Sequence, residues 1–255
     1  MTHRLTILTG ASRGLGAALA EQLLEPGATL LTVSRHVDER LAARAQAAGT
    51  ELVQWSRDLA DALPVARDLA AWLAQRDAGG IDEAALVNNA GVLTRIGPVD
   101  ESDDAEIAAA LRVGLEAAML LTAAFLRATR GWPARRAGAC RVLNISSGLG
   151  RRAMAGSAVY CAAKAGMDHF SRAVALDEAH RGDAARIVSL APGVIDTGMQ
   201  AQLRSADPAR FPDQPVFAGL RESGRLASAH EAAARVLAFL RRADFGAEVV
   251  ADVRG

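Results

Sequence analysis

Tyrosine occurs once in this chain and cysteine twice, and aromatic residues make up only 4% of its 255 residues. The two cysteines, Cys140 and Cys161, stand alone with no Cys-x-x-Cys spacing. That argues against a disulfide scaffold or a thiolate metal site, and points to a reducing, cytoplasmic setting. Cys161 adjoins the tyrosine and reads as a small buried helix residue rather than a nucleophile. Charge of either sign is not in excess: Lys plus Arg and Asp plus Glu number 29 each. Nucleic acid and anionic membrane therefore have no electrostatic footprint here. No uninterrupted apolar run approaches the ~20 residues of a membrane span. The chain enters its first strand without a charged-then-apolar leader, so no secretory signal is expected. The five histidines show no ligand spacing, and no metal is expected. Internal repeats, linkers and low-complexity tracts are missing too, so residues 1–255 are expected to form one domain.

What is present is an alternation of apolar runs and helical patterns. Residues 5–9 read as a strand ending in TGASRGLG, and a helix pattern over 15–24 follows. Strand, glycine turn and helix form the setting in which a glycine cluster carries meaning. Gly10 allows the tight turn, Gly14 lets backbone approach a pyrophosphate, and Gly16 lets helix pack on strand. With Ser12, Arg13 and Leu15 between them, they would seat a phosphate on the N–H groups of the helix start. Residues 29–34 read as the second strand, ending in Ser34 and Arg35. A site preferring NAD carries an acid there for the ribose 2′-hydroxyl. Two guanidiniums, Arg35 and Arg13, suit a 2′-phosphate instead, so NADP(H) is the expected cofactor. A solvated loop arginine explains either one alone, and explains both together less well.

A helix over 37–48 and a strand over 51–55 lead to Asp58 and Leu59. Asp58 could hold an adenine edge or simply cap a helix, and the sequence supports both equally. A helix over 61–76 tolerates Pro64 in its first turn. The strand over 84–87 runs into Asn88, Asn89, Ala90 and Gly91, whose amides and small side chains suit close approach to a ribose or nicotinamide. A loop at 93–102 and a long helix over 103–130 follow, ended by Trp132-Pro133. Strands over 140–145 and 185–190 flank a long Ala-rich helix over 157–178. Pro192, Gly193, Ile195 and Thr197 break the latter strand at the ligand edge. A short helix over 199–204 precedes a proline-rich irregular stretch, so 198–224 is expected to act as a substrate lid. A helix over 229–241, capped by Ser228, and a strand over 248–251 complete a doubly wound α/β domain.

The chemistry concentrates in NISSGLGRRAMAGSAVYCAAKAGM at 144–167. Ser147 lies 13 residues before Tyr160, and Lys164 lies four after it. On a helix Tyr160 and Lys164 share a face. An ammonium ~4 Å from the phenol, at an effective dielectric near ~20, attracts phenolate by roughly 4 kcal/mol, enough to lower the phenol's pKa strongly. Such a tyrosine exchanges protons near neutral pH. A lone Tyr-x-x-x-Lys arises by chance in many helices. Ser147 after an apolar run adds a hydroxyl at a strand's carboxyl end, where open α/β sheets bind ligands.

Together TGASRGLG, Asp58-Leu59, NNAG at 88–91, Ser147, YCAAK at 160–164 and PGVIDT from Pro192 resemble the short-chain dehydrogenase/reductase family over nearly the whole chain. The resemblance implies a seven-stranded parallel sheet and hydride exchange with a nicotinamide. It implies that Tyr160 is the acid/base, that Ser147 holds a substrate carbonyl oxygen, and that Lys164 binds the nicotinamide ribose and lowers the Tyr pKa. A homodimer or homotetramer is likewise implied. Within the family, DTGMQAQLR at 196–204, LRESGRL and ADFGAEV resemble the sepiapterin reductases and the bacterial benzil reductases similar to them. That implies NADPH-dependent reduction of a ketone flanked by a second carbonyl.

The sequence departs from the family pattern at two points. Gly114 stands where the family has an Asn whose backbone carbonyl holds a relay water; glycine keeps the carbonyl but loosens the helix by ~1 kcal/mol relative to Ala. The acid that anchors a pterin falls on Val250, with Asp252 the nearest carboxylate, which argues against a pterin. Arg151 and Arg152 read as a solvated pair rather than pocket residues. The leading expectation is an NADPH-dependent carbonyl reductase. An alcohol dehydrogenase running oxidatively and a non-catalytic NADP(H)-binding regulatory protein are the alternatives.

Overall fold

The computed structural model describes residues 2–254. Each strand but the last is six residues long: β1 Arg4–Thr9, β2 Thr29–Ser34, β3 Glu51–Ser56, β4 Glu83–Asn88, β5 Cys140–Ile145 and β6 Arg186–Ala191, with the shorter β7 at Val250–Asp252. All pair in parallel in one seven-stranded sheet, in the order β3-β2-β1-β4-β5-β6-β7. Parallel neighbours need crossovers, which the helices supply. These are α1 Gly14–Gln22, α2 Glu39–Ala48, α3 Ala62–Ala74, α4 Asp104–Leu111, α5 Ala117–Ala128, a short α6 Pro133–Arg136, α7 Ala158–Ala179, α8 Gly198–Arg204, α9 Gln214–Glu222 and α10 Ala229–Leu240.

Strand alternation sends neighbouring side chains to opposite faces. Leu5 and Ile7 join Leu69, Leu121 and Phe125 of α3 and α5 on one face. Leu8 joins Leu19, Val236 and Leu237 of α1 and α10 on the other. Each of these buried side chains contributes roughly 1.5–3 kcal/mol by leaving water. The stretch Asp104–Ala128 is long and apolar enough to cross a membrane by length and composition, with mean hydropathy 1.6. Half of it is buried, and Ala117, Leu121 and Phe125 face the sheet. It is a core helix of this domain.

Three elements differ from the sequence reading. The long helix expected over 103–130 is interrupted by a π-helical turn at Arg112–Glu116, centred on Gly114. The helix is over by Trp132-Pro133, ending at Ala128, but Pro133 also starts the unforeseen short α6, because its fixed φ fits a first turn. The proline-rich stretch also contains α9, with Pro215 in its first turn. Around it a third small core forms, in which Phe211 is fully buried against Ile96, Met154, Leu203 and Phe217. The 198–224 segment is thus docked on the loops after β4 and β5.

Candidate active site

The chain leaves β1 toward β2 and leaves β4 toward β5, so the order reverses between these two neighbours and a crevice opens at their carboxyl ends. Two glycines are required there. Gly10 has φ +70°, and a Cβ on it would stand 2.9 Å from Ala90 Cα. A Cβ on Gly16 would stand 2.0 Å from the Gly10 carbonyl oxygen. Asn89 locks the turn from the β4 side, donating its amide to the carbonyls of Thr9 and Gly10 at 3.0 and 3.1 Å. The Thr9 hydroxyl accepts the N–H groups of Asn89 and Ala90, both at 3.0 Å.

Helices α2, α4 and α10 are capped by the side chains of Asp38, Asp103 and Ser228, but no side chain caps α1. Its first N–H groups remain uncommitted and face a cleft of about 710 Å³, lined by Gly10, Ser12, Arg13, Gly14, Leu15 and Gly16. Orphan N–H groups and the helix dipole favour an anion. These residues therefore fit the pyrophosphate of a nicotinamide dinucleotide.

At the far end, Arg13 and Arg35 border a recess shared with Ser12, His36 and Arg40. Asp38 also borders it, but its carboxylate is spent on the N–H groups of Arg40 and Leu41 at 2.9 and 3.3 Å. The Ser34 hydroxyl accepts from Ala11 N–H at 2.8 Å and still borders the cleft. Asp58 has the cap role that the sequence offered: it caps the turn Leu59–Asp61 through Ala60 N–H at 2.9 Å, and with Leu59 it also borders the cleft. Arg57 lines the cleft as well and was missed; its adjacency to Asp58 was the available signal.

Ala90, Gly91, Pro192, Gly193, Ile195 and Thr197 all border the cleft. Asn88 does not. It is the last residue of β4 and points into the core, where its amide donates to Thr122 Oγ1 at 3.1 Å and Asn144 Oδ1 at 2.8 Å. Strand alternation accounts for the difference, since Asn88 and its partner Asn144 share a register position and a face.

The candidate reacting groups follow β5 and lie on α7. Ser147 follows β5 and caps the turn Gly148–Gly150, its hydroxyl accepting Leu149 N–H at 3.2 Å. Tyr160, in the first turn of α7, borders the cleft opposite it. Lys164, one turn on, is 4% exposed and donates to the Ile145 carbonyl at 2.7 Å. It is also the only lysine in the chain, a signal as legible as the lone tyrosine.

The expected depression of the Tyr160 pKa is not found. Burial pushes the phenol up to about 12, with the nearby Ser147 hydroxyl pulling it partly back. The Lys164 ammonium lies 5.7 Å from the ring centre, and its nearest bond is to Ile145. Lys164 is itself pushed down to about 8 by burial, against the opposing pull of Asp168. At neutral pH the phenol is therefore neutral and the amine largely charged.

Beyond Tyr160 the wall is apolar, with Leu93, Leu149, Met154, Leu203 and Phe217 lining it. The two arginines expected as a solvated pair separate. Arg152 borders the cleft, while Arg151 donates to the Ala251 carbonyl at 2.7 Å and approaches Asp168 at 3.5 Å. Cys161 is half-buried against the same apolar cluster. Asp252 is held by Arg254 at 2.7 Å, and it is Arg254 rather than the acid that lines the cleft. Gln200 lines the cleft nearly buried, with its Oε1 unpartnered, and no sequence signal pointed to it. Among the described residues no cluster of His, Cys, Asp or Glu could hold a metal ion.

A doubly wound sheet with an anion-binding glycine turn and a hydroxyl, phenol and ammonium converging on one cleft defines a nicotinamide-dependent oxidoreductase. The chain belongs to the short-chain dehydrogenase family, whose model matches residues 4–208, and such enzymes act on CH–OH and C=O groups. It is 32% identical to the benzil reductase ((S)-benzoin forming) of Bacillus cereus over 242 residues, 95% of this chain and 96% of that one. It is also 32% identical to the sepiapterin reductase of Meriones unguiculatus over 252 residues, 94% and 92% of the two chains. Among solved structures it resembles a 3-oxoacyl-[acyl-carrier protein] reductase from Brucella melitensis in complex with NAD. There the TM-score is 0.80 at 25% identity, covering 99% of this chain and 96% of the other.

Proposed function

We propose that the protein is an NADPH-dependent carbonyl reductase acting on a ketone flanked by a second carbonyl, as in benzil. The observation that carries this reading is the convergence of Ser147, Tyr160 and Lys164 on one apolar-walled cleft. Reduction of a ketone needs an acid at the carbonyl oxygen, a part the Tyr160 phenol can take. Bound NADPH would supply the hydride. Ser147 and Tyr160 bond the substrate oxygen, and Tyr160 releases its proton to it as negative charge develops. Lys164 has three N–H donors and gives one to Ile145, leaving two for the nicotinamide ribose hydroxyls.

The choice of NADPH over NADH rests on Arg13 and Arg35, which have no acidic partner among the described residues, and on an Asp38 already engaged as a cap. The apolar wall suits aryl or ring substituents, and the relatives named benzil reductase and sepiapterin reductase support a dicarbonyl. The engaged Asp252 speaks against a pterin. The 198–224 segment would serve as the substrate lid, and a reducing cytoplasm suits the two free thiols. Leu111, Met119 and Leu176, exposed on the helices α4, α5 and α7, support a homodimer or homotetramer.

The test is steady-state loss of nicotinamide absorbance with NADPH or NADH over benzil, sepiapterin and simple monoketones. Benzil with NADPH should give the highest kcat/KM. Faster turnover of monoketones, or of NADH, would overturn the substrate or the cofactor assignment respectively.

A further inference from the structure

Asp168 lies on α7 four residues beyond Lys164 and eight beyond Tyr160, so the three share one face. It is 2% exposed. Its Oδ1 accepts the hydroxyls of Ser146 and Ser189, both at 2.6 Å. Its Oδ2 has no hydrogen-bond partner and stands 3.5 Å from Arg151 Nε. Ser146 and Arg151 are the two ends of the segment that carries Ser147 and the turn Gly148–Gly150. The turn itself rests on the carboxylate, because a Cβ on Gly150 would come within 2.8 Å of Oδ2. Arg151 fastens the far end to β7 through the Ala251 carbonyl.

Resting on the reductase reading of the cleft, we propose that Asp168 is the positioning residue of Lys164: one buried carboxylate supplies the counter-charge of the ammonium and holds the Ser147 turn against it. A buried carboxylate with hydroxyl donors alone is expensive. Its charge is offset by two cations, Lys164 on its own helix and Arg151 from the β5–α7 loop. Facing Asp168 from the sheet are the hydroxyls of Ser146, just after β5, and Ser189 of β6, and the one acid on β7, Asp252, is paired with Arg254. Among the described residues Lys164 is paired with no carboxylate at ion-pair distance, and burial pulls its pKa down against the opposing pull of Asp168. Tyr160 and Ser147 are thereby kept facing a charged lysine without either of them touching Asp168.

Lys164 is the only lysine in the chain, so protein labelled with 13C at the lysine ε-carbon gives one side-chain resonance. Its titration needs no substrate, and it separates this inference from the reductase reading. In the wild type the midpoint is expected near 8. Asp168→Asn should lower it by about one pH unit or more, because an anion is lost beside the amine. Arg151→Gln should raise it, because a cation is lost. The alkaline limb of kcat/KM should move in the same two directions. A purely structural role gives no opposed shifts. A midpoint unmoved in Asp168→Asn, or moved the same way by both variants, overturns the proposal. If Asp168→Asn does not fold, an unmoved or lowered midpoint in Arg151→Gln overturns it alone.

Discussion

The Lys164 ammonium donates to the main-chain carbonyl of Ile145 at 2.7 Å, tying the helix that carries Tyr160 to the strand end that leads to Ser147. The bond crosses the floor of the cleft between α7 and β5. It fixes two groups contributed by different elements, 13 residues apart in sequence, at one site. The first consequence concerns the phenol. Tyr160→Phe removes the proposed acid and leaves the cradle at Gly10 to Gly16 untouched. Reductive kcat should fall by about 10²–10⁴-fold, while NADPH titrated by its fluorescence binds as in the wild type.

Two groups of this site titrate away from their ordinary values, and the signs differ. Lys164 is pushed down to about 8, so between pH 8 and the ordinary lysine value the unfolded chain holds the extra proton. Stability from this group therefore rises with pH over that span, while activity falls as the ammonium is lost. Tyr160 and Cys140 are pushed up to about 12; their opposing contributions set in around their ordinary values of 10.0 and 9.0, so between pH 8 and pH 9 Cys140 offsets only part of the rise. The urea midpoint should thus rise from pH 8 to pH 9 in the wild type, and this rise should be missing in Lys164→Met. The reductase rate should decline over the same interval.

Arg35→Ala removes one of the two guanidiniums proposed to hold a 2′-phosphate. A charge-assisted hydrogen bond contributes roughly 1.5–3 kcal/mol, so the KM for NADPH should rise about tenfold or more. The KM for NADH should stay within about twofold by the same reasoning, since NADH carries no 2′-phosphate. Initial rates with each cofactor at saturating ketone decide this.

Glycine has opposite meanings at two positions. A Cβ on Gly114 would meet only Ala163 Cβ at 3.5 Å, an ordinary contact. Gly114→Ala should therefore raise stability by about 1 kcal/mol through helix propensity, seen as a higher thermal midpoint. A Cβ on Gly16 would stand 2.0 Å from the Gly10 carbonyl, so Gly16→Ala should lower that midpoint and abolish cofactor binding.

The sheet was legible because its strands are short apolar runs closed by turn residues. β2 and β5 fall where the sequence puts them, at Thr29–Ser34 and Cys140–Ile145. Most of the cleft was legible too, since glycines, amides and cations cluster at strand ends. What was missed has physical causes. Pro208, Pro212 and Pro215 conceal α9, although proline fits a first turn and Phe217 and Leu220 keep helical spacing. Asn88 was placed at the cofactor by its position in NNAG, when alternation along β4 turns it inward. The rise in the Tyr160 pKa could not be read from Tyr-x-x-x-Lys, because burial outweighs a lysine whose bond goes elsewhere. Asp168 was visible only as a third residue at four-residue spacing, and its hydroxyl partners come from the residue after β5 and from β6, distant in sequence.

The most direct test is a single turnover: enzyme holding NADPH is mixed rapidly with benzil, and the nicotinamide absorbance is followed. In the wild type the absorbance should decay in one phase with an amplitude equal to the enzyme concentration, and in Tyr160→Phe the same decay should be at least about 100-fold slower. Equal decay in both proteins, or NADPH bound by the wild type with no decay at all, would contradict a neutral Tyr160 phenol acting as the proton donor.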